Sequence, residues 1–106
     1  MKLPLFRDKA KIRLGEAYDQ GTFDALSAVL ESEGAELLDK NWAVAGSIEI
    51  STWKYKIGKE KVKVEAETVQ GVEISGNKEL VERIADAVRR IQLDNKEDTP
   101  DLKAVR

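Results

Sequence analysis

A Gly58-Lys59 pair lies between two runs of alternating side chains, and it constrains the fold of this chain more than any other stretch. Glycine in the first of two turn positions is what a type II′ hairpin turn requires. A two-residue turn there also fixes the register of the flanking strands, because opposed residue numbers must sum to 117. Tyr55 then faces Val62, and Trp53 faces Val64, on one side of the hairpin. Lys54 faces Lys63, and Lys56 faces Lys61, on the other side, since side chains alternate with a period of two. Both strands change phase further out. Ile48 and Ile50 point away from the Trp53 side, and Val69 leaves the phase of Val62, Val64 and Ala66 at the matching place. Two phase changes that meet in one register predict cover on both faces at that end, not a bulge. The hairpin as a whole spans residues 47–75. Gly71 interrupts it, and Val72 and Ile74 end the strand region.

The same hairpin carries the most prominent charge in the chain. Lys54, Lys56, Lys59, Lys61 and Lys63 crowd its tip, opposed only by Glu60, while the whole chain has a net charge of −2. Like charges placed directly opposite cost stability. A candidate binding surface for phosphate or an acidic partner is therefore one reading. The plainer reading is that lysines keep the hairpin soluble and stop its edges pairing with other chains. Trp53 and Tyr55 face the other way, so the aromatic half of a single-strand binding site is missing.

Helices flank the hairpin. Thr22 is placed to cap a helix over residues 23–33, with Phe23, Leu26, Val29 and Leu30 as its apolar stripe and Gly34 as a left-handed C-terminal cap. Asn77 caps a second helix over residues 78–92, striped by Leu80, Val81, Ile84, Ala85, Val88 and Ile91. Glu79 with Arg83, and Asp86 with Arg90, have the spacing of helical ion pairs. Residues 35–44 fit an extended segment better than a continued helix. Trp42 falls in no clear element; it reads as core, or, if exposed, as a contact anchor. Residues 1–15 form an edge strand or a basic arm, and residues 93–106 read as a flexible charged tail, leaving residues 1–92 as one domain.

Charge is segregated along the chain. Residues 15–39 hold seven acidic groups and no basic ones, whereas residues 1–13 hold five basic groups and one acidic one. Neutralisation between neighbouring segments is the ordinary expectation. Cys and His are absent, which removes disulfides, common zinc sites and the Ser-His and Cys-His dyads. No cofactor or metal site is expected, and no catalytic residue stands out. Glu65, Glu67 and Glu73 alternate with core positions and read as solvated. The glycines lack phosphate-loop spacing. No apolar run approaches a membrane span or a signal-peptide core, so a cytoplasmic location without membrane contact is the default expectation.

The sequence thus predicts an α+β fold: an antiparallel sheet of three or four strands with both helices on one face. The expected function is a non-enzymatic protein-binding or adaptor domain, as a homodimer or with another protein, using an interface at Ile48, Val69 and Trp42. The alternative is binding of nucleic acid or an acidic partner through the lysine-rich face and the basic N-terminal arm. A small enzyme built on carboxylates or lysine is the third reading, and it needs a buried Glu or Lys in a deep pocket.

Overall fold

The computed structural model describes the backbone of residues 8–17 and 19–105, and the side chains of residues 8–17 and 19–94. Of the edge strand or arm expected over residues 1–15, residues 1–7 lie outside the described residues. The elements run β1 (Lys9–Gly15), α1 (Gln20–Ser32), β2 (Glu36–Ala45), β3 (Ile48–Ile57), β4 (Glu60–Glu67), β5 (Gly71–Asn77) and α2 (Lys78–Val105). The five strands form one sheet in the order β1-β5-β4-β3-β2, with every neighbouring pair antiparallel. The class is α+β, as the sequence predicts, with five strands in place of three or four.

The larger strand count has physical causes. Residues 35–44 are extended, as the sequence favours, and form a strand that Leu37 and Leu38 obscure because the β2–β3 register shifts between Leu37 and Asp39, so the Leu-Leu pair sits at a bulge. A further strand lies past Glu67. Residues 68–70 turn the chain without Gly or Pro, and Gly71 opens β5 instead of interrupting β4.

The β3–β4 register runs as the turn dictates, with Tyr55 opposite Val62, Trp53 opposite Val64, Lys54 opposite Lys63 and Lys56 opposite Lys61. Gly58 has φ +61°, and no non-glycine residue among the described ones has a positive φ, which is the pattern of a type II′ turn. No register shift occurs in β3–β4. The matched phase changes therefore need no bulge, as expected. Among the described residues no element supplies the expected second cover, and Ile48 and Ile50 are half-buried.

Both helices pack on the opposite face. Their stripes close over Val62, Val64, Val72 and Ile74, with Val81, Ile84, Ala85 and Val88 fully buried. Trp53 and Tyr55 line the same core but are only half-buried. Phe23 meets Trp53 edge to face at 5.9 Å between ring centroids. Burial raises the pKa of the Tyr55 hydroxyl.

Capping of α1 differs from the sequence reading. Asp19, not Thr22, is the N-cap, and its carboxylate accepts from the Gly21 backbone N–H and the Thr22 hydroxyl. Thr22 is instead buried inside the first turn, where its hydroxyl accepts a hydrogen bond from the Gln92 side chain at 3.0 Å. The other end follows expectation. Gly34 has φ +73°, Ala35 N–H donates to the Leu30 carbonyl and Gly34 N–H to the Glu31 carbonyl, which together make a Schellman cap.

Asn77 caps α2 through the Leu80 N–H at 3.0 Å. Arg83 does not pair with Glu79. It reaches across to α1 and grips Glu33 bidentately at 2.7 and 3.0 Å, which holds its pKa above the ordinary value. Asp86 pairs with Arg89 rather than Arg90. The helix runs on beyond Gln92, where the apolar stripe gives out, as far as Val105.

Candidate functional site

Two surfaces remain once the core is closed. The first is the sheet face without helices. Strand register sets its side chains in rows. Asp39, Lys54, Lys63, Ser75 and Lys11 stand side by side across all five strands. The next row toward Gly71 reads Asn41, Thr52, Glu65, Glu73 and Arg13. The face is therefore basic at one end and acidic-to-mixed at the other.

The basic end forms an open groove of about 550 Å³ lined by Lys9, Lys11, Lys54, Lys61 and Lys63, with Leu38 on its wall. Lys56 stands opposite Lys61 outside the groove lining, and Lys59 lies in the exposed turn. Lys9 and Lys11 belong to the basic N-terminal segment that the sequence offers as an edge strand or arm, and their place beside the hairpin lysines follows from the pairing of β1 with β5, more than sixty residues away. An alternating Lys-Ala-Lys-Ile-Arg run was the available signal. Lys11 lies 3.9 Å from Glu73. Lys9, Lys54, Lys61 and Lys63 make no ion pair among the described residues. Glu36 and Asp39 do stand opposite Lys56 and Lys54 in the ladder, so part of the acidic segment neighbours the basic one, as ordinary neutralisation predicts.

The second surface is β2. All ten of its residues are exposed, and it is an edge strand. Leu37, Leu38, Trp42 and Val44 are 49%, 45%, 61% and 52% exposed. Trp42 is thus not core. It stands opposite Ser51, with Val44 opposite Glu49, on the helix side of the sheet beyond the cover of α1. Gly46 has φ +66° and closes the β2–β3 hairpin with Ser47, so the arm projects freely. Val69 is 67% exposed in the turn after β4. The β3–β4 pairing continues to Glu49 and Thr68, whose backbone bond is 3.1 Å, and this brings Val69 to the Ile48 end of the hairpin.

Among the described residues no carboxylate or lysine is buried, and Thr22 is the one buried polar side chain. Its hydroxyl is committed to Asp19 and Gln92. A wider hollow of about 890 Å³ lies at the start of α2, but it is rimmed by charges of both signs, including Asp8, Glu60, Glu79, Lys78 and Arg83. No group of three or more metal-ligating Asp or Glu residues gathers among the described residues. No described helix is long and apolar enough to cross a membrane. Comparison with family models, with curated proteins and with solved structures finds no match to this chain.

Proposed function

We propose that this protein is a non-enzymatic binding domain that self-associates through the β2 edge. The observation that carries the reading is a ten-residue edge strand exposed throughout, with four large apolar side chains and no helix over it. An edge of this length and character is a template for strand addition unless it is blunted. Proteins normally blunt such edges with charge or proline, yet the outer half of β2, Trp42-Ala43-Val44-Ala45, carries neither.

A second copy fits that half well. An antiparallel pairing about a two-fold axis through Ala43 places Trp42 against Val44 of the other copy, an aromatic with a β-branched side chain, which is a favourable cross-strand pair. The charged residues Glu36, Asp39 and Lys40 stay outside the pairing. An isologous contact of this kind closes on itself and gives a dimer, not a fibre. Val69 and Ile48, at the same end of the molecule, flank the joint.

Light scattering tests this reading. The wild-type chain is expected at twice its 11.8 kDa mass, and Trp42→Lys with Val44→Lys, which sets like charges opposite one another across the joint, is expected as a folded monomer. A wild-type monomer at high concentration overturns it.

A further inference from the structure

The lysine groove calls for an account of its own, independent of self-association. Protection of sheet edges does not explain it. Lys54, Lys61 and Lys63 lie on β3 and β4, which are interior strands with partners on both sides. Solubility does not explain it either, because charge of either sign or an alternating mixture serves that purpose without opposing Lys54 to Lys63 and Lys56 to Lys61. Five lysines from three strands converge on one groove. Four of them make no ion pair among the described residues. A site that gathers cations at a cost in stability, and gives an ion pair only to Lys11 among the described residues, is complementary to an anion.

The rest of the face narrows the class of anion. Trp53 and Tyr55 point into the core, so no described aromatic side chain is available for base stacking on this face. Leu38 is the one apolar side chain in the groove wall large enough to anchor a peptide. Ser75 lies between the lysines of β4 and β1, where its hydroxyl can donate to a phosphate oxygen. At the far end, Glu65 stands opposite Glu73, and Glu67 lies one step further along β4, so phosphate is excluded there and the footprint is held to the lysine end. Groups that contact phosphates but not bases suit a duplex, whose bases are already stacked and paired inside.

We propose that the groove formed by Lys9, Lys11, Lys54, Lys61 and Lys63 binds the phosphodiester backbone of a double-stranded nucleic acid without reading its sequence.

The test is fluorescence anisotropy of a 20-base-pair DNA duplex (about two helical turns) titrated with the full chain across a salt series, beside a labelled polyglutamate peptide. Five phosphate contacts predict a log–log salt slope of about −4.5 for the duplex. Lys54→Gln with Lys63→Gln removes two opposed charges, so the variant is expected to fold at least as well. It should flatten the slope by about 2 and weaken low-salt binding at least about tenfold. Lys59→Gln, in the turn outside the groove, should leave the slope close to the wild-type value. Absence of duplex binding at low salt overturns the proposal. So does a slope that the Lys54/Lys63 variant leaves unchanged. Preference for polyglutamate over the duplex overturns it in favour of an acidic protein partner.

Discussion

Gly71 and Gly46 share a positive φ, +89° and +66°, yet their surroundings differ. A Cβ at Gly46 meets open space, whereas one at Gly71 would run into the Gly15 backbone carbonyl and sit 3.1 Å from the Arg13 guanidinium. Arg13 is itself held there by a 2.8 Å bond to the Gln70 carbonyl. Gly46→Ala is therefore expected to cost about 1–2 kcal/mol, the penalty of the left-handed backbone alone. Gly71→Ala should cost about 2–4 kcal/mol, because β1 must also shift from β5. Chemical denaturation of the two variants measures the difference, and equal losses would show that β1 does not press on Gly71. Single residues also explain what the sequence could and could not disclose. Asn77 and Gly34 are legible caps because each acts on neighbours within four residues. Asp19 displaced Thr22 as a cap because Thr22 was drawn inward by Gln92, a partner 70 residues away.

At the scale of elements, local rules were readable and non-local pairings were not. The β3–β4 register followed from one turn, since a two-residue loop leaves a single alignment. The β1–β5 pairing has no such turn, so the sequence suggests that the basic N-terminal segment acts with the hairpin lysines but does not show the pairing that sets Lys9 and Lys11 beside them. Strand β2 was hard to read for a different reason. It is exposed on both faces, so no core imposed the alternation by which strands are recognised. The second helix was readable only as far as its stripe. Ile91 and Gln92 are its last half-buried residues among the described side chains, and Leu93 is 60% exposed. Burial, not helicity, decides what a segment adds to stability. Ending the chain after Asp94 is thus expected to change unfolding free energy by less than about 1 kcal/mol. A larger loss in thermal or urea unfolding would mean that the segment packs on the domain or on a second copy.

At the scale of the whole molecule, the two candidate surfaces are separate but geometrically linked. Trp42 and Val44 lie on the helix side of the sheet, and the lysine groove lies on the open side. A continuous antiparallel joint across β2 needs a two-fold axis perpendicular to the sheet, because alternating side chains must stay on their own faces. That axis turns both lysine grooves toward the same side of a ten-stranded sheet. A dimer would then present two grooves to one duplex, and the second contact would be intramolecular, with affinity gained from effective concentration alone. Duplex length becomes the discriminating variable. A duplex of one helical turn (about ten base pairs) should bind the wild type and the Trp42→Lys/Val44→Lys variant with similar affinity per groove. A duplex of several turns should bind the wild type at least about tenfold more tightly than the monomeric variant. The Lys54→Gln/Lys63→Gln variant should keep the dimer mass while losing affinity for both lengths. Loss of short-duplex binding on breaking the joint would show that the groove depends on the second copy. A monomeric variant that matches the wild type on long duplexes would show that the two grooves do not share one face.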